Sequence, residues 1–66
     1  MNSNNFNETN ILNSFKEKNY KGVIKSGLKF LKKNPKNYQL IYLIGLSYLN
    51  LQNYTEAEKY FDKLLY

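Results

Sequence analysis

The chain is in register with itself at an offset of 34 residues. Asn19 and Tyr20 recur as Asn53 and Tyr54 at this offset. Further identities share it: Leu12 with Leu46, Lys25 with Lys59, Lys29 with Lys63, and Leu31 with Leu65. A repeat near this length is typical of helical solenoids, in which each unit buries its apolar side by stacking on a neighbour. The sequence therefore predicts two copies of one helical unit, and such arrays serve surface recognition.

Apolar residues recur with helical spacing in four segments, and no segment alternates as a strand would. We predict helices over about Phe6–Lys18, Tyr20–Lys33 and Asn37–Asn50, and a fourth that begins after Asn53. Asn19 and Asn53 precede the second and fourth helices as N-caps, and Pro35 ends the second helix. The short connections between helices favour antiparallel neighbours. The predicted fold class is all-α, with antiparallel helix-turn-helix units in a single domain over residues 1–66.

The second half of the chain contains a motif of six residues at fixed spacings. Ile41 is followed at fixed spacings by Ile44, Gly45 and Tyr48, and then by Ala57 and Phe61. This order resembles the tetratricopeptide repeat, whose signature is W-x2-L-G-x2-Y followed by A-x3-F. The resemblance implies a first repeat over about residues 5–37 and a second over about 38–66. The first repeat is degenerate, because Gly27 stands where an aromatic residue is expected.

The resemblance also implies a binding surface. In this family the first helix of each repeat lines a concave groove that holds an extended peptide or a partner helix. The positions that correspond in this chain are Glu8, Leu12, Phe15, Gln39, Tyr42, Leu46, Leu49 and Asn50. Leu46 and Leu49 have a competing interpretation as core residues of a short array. Affinity in such a groove would come from apolar burial, with flanking polar groups setting the register.

Positive charge is concentrated in the first half of the chain. The net charge is +5, from ten lysines, no arginine and five acidic residues. Helical spacing aligns five of the lysines as one stripe: Lys18, Lys21, Lys25, Lys29 and Lys32. The stripe has two interpretations, a solvated face or a surface for nucleic acid, anionic membrane or an acidic partner. The absence of arginine, which supplies bidentate phosphate and guanine contacts, disfavours nucleic acid.

Several classes of protein are excluded by composition. The chain has no cysteine and no histidine, so it has no disulfide, no thiolate or imidazole metal site and no Cys or His nucleophile. We predict no enzyme, no cofactor and no metal. Residues 1–10 carry no basic and apolar leader pattern, and the most apolar stretch is too short to span a bilayer, which takes about 20 residues. Together these features favour a cytoplasmic protein.

The predicted function is a protein-protein interaction module. Helix four ends in more apolar residues than one inward stripe needs, which favours self-association, most simply as a twofold dimer. The residues predicted for that contact are Tyr60, Leu64, Leu65 and Tyr66. A partner subunit on the same surface is an alternative, as is a place within a longer solenoid. A small basic domain that binds nucleic acid or an anionic membrane is the competing functional class.

Overall fold

The computed structural model describes residues 8–65, and this part of the chain is all-α. Its helices are α1 (Glu8–Lys16), α2 (Tyr20–Lys33), α3 (Tyr38–Asn50) and α4 (Tyr54–Leu65). No strand occurs between residues 8 and 65. The predicted all-α class and the predicted bounds of α2 are confirmed. The predicted start of the first helix, with its Asn5 cap, lies outside the described residues.

The first helix ends two residues earlier than predicted, because the chain closes it with a left-handed residue. Lys18 has φ 63°, its N–H donates to the Phe15 carbonyl at 2.9 Å, and the Asn19 N–H donates to the Ser14 carbonyl at 2.9 Å. These paired bonds form a Schellman motif, which satisfies carbonyls left over at a helix end. Lys18 therefore lies in the turn between α1 and α2 and not on a helix.

The same turn recurs 34 residues later, between α3 and α4. Gln52 has φ 64°, its N–H donates to the Leu49 carbonyl at 2.9 Å, and the Asn53 N–H donates to the Tyr48 carbonyl at 2.9 Å. The internal offset of the sequence thus corresponds to an equivalent backbone conformation. This turn conformation is not signalled by residue type, since neither Lys18 nor Gln52 is the glycine or asparagine usual at such a position.

Replacing Gln52 with glycine is expected to stabilise the protein. Glycine adopts positive φ without a steric penalty, so the variant should gain about 0.5–1 kcal/mol in the free energy of unfolding. Urea denaturation followed by circular dichroism measures the change. Glu58→Gly is the matched control within the ordinary helical backbone of α4, where glycine should cost about 1 kcal/mol. Equal losses in both variants would contradict the left-handed assignment.

Asparagine caps begin the last three helices. Asn19 accepts a hydrogen bond from the Gly22 N–H at 3.1 Å, and Asn37 accepts one from the Leu40 N–H at 3.1 Å. Asn37 therefore precedes α3 as its cap, where the sequence predicted it inside the helix. The third cap is looser, because the Glu56 N–H lies 3.4 Å from Asn53 Oδ1.

The Glu56 backbone N–H faces the Asn53 cap, whereas its carboxylate pairs with a lysine. The carboxylate accepts a hydrogen bond from Lys59 Nζ at 3.0 Å, one turn along α4. That hydrogen bond raises the pKa of Lys59. Both side chains are solvent-accessible, so the pair adds little to stability.

The third helix occupies the centre of the molecule. It packs against α1, α2 and α4, which explains why its sequence is apolar nearly all round. The buried core cluster joins the three N-terminal helices through Ile11, Val23, Leu40 and Ile44. Between α2 and α3 the approach is close at Gly27, where an added Cβ would lie 3.0 Å from Ile44 Cγ1.

Aromatic rings join α3 to α4. The Phe61 ring covers Gly45, so closely that a Cβ added at Gly45 would lie 2.6 Å from Phe61 Cε1. Tyr48 stacks on Tyr60, with ring centroids 5.7 Å apart. The sequence predicts Tyr48 and Phe61 as fillers between these helices. The structure leaves both half-buried, and each ring pairs with a different aromatic residue.

No helix within residues 8–65 combines the length and the apolar character that crossing a membrane requires.

Candidate partner-binding surfaces

A cavity lies between α1 and α3, and two of the residues predicted for the groove are among those that line it. Its volume is about 190 Å³. It is lined by Thr9, Ile11, Leu12, Gln39, Leu40 and Leu43. Leu12 and Gln39, both predicted for the groove, therefore lie together, and Leu12 is 37% exposed. Leu40 and Ile11 belong to the buried core, so the floor of this cavity is apolar.

Other residues predicted for the groove take part in packing or in hydrogen bonds within the chain. Phe15 is half-buried and packs against the core, and its ring meets the Tyr20 ring edge-on with centroids 5.6 Å apart. Leu46 is half-buried, and Asn50 Nδ2 donates to its carbonyl at 2.8 Å. The Glu8 side chain lies outside the described part. Phe15 thus supports the α1–α2 packing, and a partner could reach only its exposed fraction.

A second surface lies on the outer side of α3 and α4. On α3, helical spacing aligns Tyr38, Tyr42 and Leu49, which are 56%, 49% and 41% exposed. On α4 it aligns Tyr54, Phe61 and Leu65. The two rows meet where the Tyr42 and Phe61 rings lie 6.3 Å apart. We call this surface the end face, and its members are Tyr38, Tyr42, Leu49, Tyr54, Phe61 and Leu65.

The end face holds most of the large apolar side chains that the described chain exposes. Leu12 and Leu51 are the exposed ones elsewhere. Tyr54 is 62% exposed and Leu65 is 74% exposed. Tyr38 and Tyr54 were not among the predicted site residues, although the four-residue spacing of Tyr38 and Tyr42 signals a shared side of α3. A contiguous apolar patch on a small domain is typical of a protein contact surface.

The residues predicted for self-association divide between two sides of α4. Tyr60 stacks on Tyr48 and faces α3, and Lys63 Nζ lies 5.9 Å from the centre of the Tyr60 ring. Burial raises the pKa of the Tyr48 phenol in this stack, and the charge interaction with Tyr60 raises it to a smaller extent. Leu64 is half-buried, whereas Leu65 is exposed on the end face. Tyr66 lies outside the described residues.

The predicted basic stripe is exposed along its whole length. Four of its lysines lie on α2: Lys21, Lys25, Lys29 and Lys32. Lys18 is exposed in the preceding turn. The stripe lies opposite Val23 and Gly27, the buried residues of α2, so α2 separates the core from a cationic outer surface.

We expect this stripe to be dispensable for folding. The triple variant Lys21→Gln, Lys25→Gln and Lys29→Gln should keep its free energy of unfolding within about 1 kcal/mol, because like charges one turn apart repel mildly. Thermal denaturation measures this. Retention on heparin and on anionic vesicles tests the competing nucleic-acid or membrane function. If the parent binds either and the triple variant binds neither, the stripe is a functional surface.

Among residues 8–65 no group of three Asp or Glu side chains is placed to hold a metal ion. One buried polar group stands out, the Ser47 hydroxyl, which is fully buried on α3 and has no hydrogen-bond partner within the described chain. It is enclosed by packing and opens to neither surface.

Comparison of the chain with protein-family models, with curated proteins and with solved structures finds no match in any of the three.

Proposed function

We propose that this chain is a protein-interaction module that binds a partner helix or an extended peptide. The end face is the observation that carries this proposal. Its side chains are large, apolar and rigidly mounted on two packed helices, and five of its six members are exposed. Each Å² of such a surface that a partner buries contributes about 25 cal/mol to binding, which provides the affinity. The few polar residues beside the surface orient the partner.

We further propose that the four helices are units of the tetratricopeptide kind. The 34-residue offset, the matching turns at Lys18 and Gln52, and the contact of α1 with α3 support this assignment. The cavity between α1 and α3 then corresponds to the concave groove of such an array. In this proposal the protein acts in the cytoplasm, an assignment with which the lack of cysteine agrees.

The occupant of the end face is either a second copy of the chain or a different protein. Sedimentation of the purified chain across low micromolar concentrations separates the two. A dimer would also give a melting temperature that rises with protein concentration. Either occupant is consistent with an interaction module. If the chain is a folded monomer, the occupant of the end face is a different protein.

Leu65→Glu tests the end face directly. Leu65 is 74% exposed, so the substitution should change the free energy of unfolding by less than about 0.5 kcal/mol. A labelled amphipathic peptide with a leucine stripe and a glutamine outer side serves as the probe, read by fluorescence anisotropy. Its affinity should fall about tenfold or more, because the variant buries a charge against apolar surface.

Leu51→Glu is the matched control for this experiment. Leu51 is 39% exposed in the turn between α3 and α4 and does not belong to the end face. Its substitution should leave peptide affinity unchanged. Equal losses in both variants, or no binding of the peptide by the parent chain, would contradict the proposed function.

A further inference from the structure

The internal repeat provides a direct comparison for the end face. Within the chain, α2 receives a neighbouring helix, α3, on the side marked by Gly27. Helical spacing places five residues on that side, all buried or half-buried: Tyr20, Ile24, Gly27, Leu28 and Leu31. The residues of α4 at an offset of 34 are Tyr54, Glu58, Phe61, Asp62 and Leu65.

Two of these positions change from apolar to acidic. Ile24 and Leu28 of α2 correspond to Glu58 and Asp62 of α4, and both acids are exposed. The remaining positions keep an aromatic or leucine side chain, apart from Gly27, which becomes Phe61. The side of α4 that corresponds to the helix-receiving side of α2 therefore keeps its apolar row and adds two carboxylates along its border.

These carboxylates have no cationic partner within the described chain. Lys59 pairs with Glu56, and Lys63 Nζ lies 5.9 Å from the centre of the Tyr60 ring. The other helix of the end face, α3, contains no lysine. An apolar surface with an unneutralised acidic border is complementary to an apolar stripe bordered by cations.

We propose that the end face docks a helix of a different protein, one whose apolar stripe is bordered by lysine or arginine. This inference rests on the proposed function and specifies its partner. The apolar stripe covers Tyr42, Phe61 and Leu65, and the basic residues at its edge meet Glu58 and Asp62. The pairing selects this partner over neutral or acidic amphipathic helices, which leave both carboxylates against an apolar or like-charged neighbour.

A second copy of the chain fits this surface less well. Twofold pairing through the end face brings Glu58 and Asp62 of both copies toward one another, where their like charges repel. The lysines of α2 offer charge, but that side of α2 has no exposed large apolar residue to cover the end face. The outer side of α1 presents Thr9, Asn10 and Asn13, which are exposed and polar.

The experiment compares two labelled probe peptides on the full chain. Each is an amphipathic helix of about 18 residues, long enough to run the length of α4. Both carry the same leucine stripe, bordered by lysine in one and by glutamate in the other. We expect the lysine peptide to bind about tenfold tighter in low salt, with the ratio shrinking as added salt screens the charges.

The double variant Glu58→Gln and Asp62→Asn tests whether these two carboxylates cause the preference for the lysine peptide. It keeps the shape of both side chains and removes their charge, so the two peptides should then bind within about threefold of each other. The variant Glu56→Gln is the control, because Glu56 already pairs with Lys59, and it should preserve the preference. A preference that survives the double variant would overturn the inference.

The failures of the inference and of the proposed function give different results. Equal binding of both peptides, lost in Leu65→Glu, leaves the end face as a docking surface and overturns its charge preference. Binding of neither peptide overturns both. Sedimentation of the chain alone adds a further readout: a stable dimer that the Leu65→Glu variant abolishes makes the second copy the occupant and overturns the inference.

Discussion

Replacing Phe61 with alanine is expected to remove about 2–4 kcal/mol from the free energy of unfolding. The Phe61 ring covers Gly45 and lies 6.3 Å from the Tyr42 ring, so it is the main filler where α4 crosses the second half of α3. Its removal leaves a gap that no neighbour can close without moving α4. A domain of this size has only a few kcal/mol of stability, so the variant should be largely unfolded near body temperature.

Urea and thermal denaturation, followed by circular dichroism, measure the loss. Tyr54→Ala is the control on the same helix, because Tyr54 is an aromatic residue that is 62% exposed, and it should cost less than about 0.5 kcal/mol. A Phe61→Ala variant that melts within a few degrees of the parent would contradict the packing of α4 on Gly45.

The contact between Phe61 and Gly45 also predicts an interaction between substitutions. Gly45→Ala should destabilise the parent, since its Cβ would lie 2.6 Å from the ring. In a Phe61→Leu background the same change should cost about 1 kcal/mol less, because the ring edge that meets the new methyl is gone. Additive costs would place the two residues apart.

This part of the fold could be read from the sequence because the residues concerned carry local signals. Asn19 caps α2, and the spacing of Gly45, Ala57 and Phe61 identified the closely packed pair of helices. The end of α3 at Asn50 was predicted, but the end of α1 at Lys16 was not. Nothing in the sequence signals the positive φ of Lys18 and Gln52, since neither is glycine. The paired hydrogen bonds of the Schellman motif accompany that conformation at both positions, and residue type does not signal it.

The candidate surface was harder to predict than the fold. The third helix is apolar nearly all round, so periodicity does not tell which side meets α2, which meets α4 and which is exposed. Tyr60 was expected at a contact surface and instead stacks on Tyr48. Only the structure shows that Glu58 and Asp62 border the end face. Such relations depend on the rotation of each helix about its axis.

Substitution of Gly27 should have an effect of similar size in the other half of the molecule. Gly27→Leu is expected to cost about 3 kcal/mol through overpacking. A Cβ at Gly27 would lie 3.0 Å from Ile44 Cγ1 and 3.1 Å from Ile44 Cδ1. Ile44 is itself fully buried among Ile11, Val23 and Leu40, so it cannot move aside, and α2 must separate from α3.

The smaller change Gly27→Ala isolates this steric cost. Alanine favours a helix over glycine by about 1 kcal/mol, so a net loss in the variant means that the clash exceeds that gain. Adding Ile44→Val removes the Cδ1 atom and should recover part of the loss relative to Ile44→Val alone. Denaturation of the four proteins of this cycle gives the coupling free energy.

Gly22→Ala is the control within the same helix. Its Cβ would meet the Asn19 side chain, 2.5 Å from Nδ2, at the solvent-accessible start of α2. The loss of that cap, about 1 kcal/mol, should offset the gain in helix propensity and leave stability nearly unchanged. The contrast between the two glycines tests how closely α2 packs on α3. If Gly27→Ala stabilised the protein as an exposed helical glycine would, α2 and α3 would not approach each other closely at Gly27.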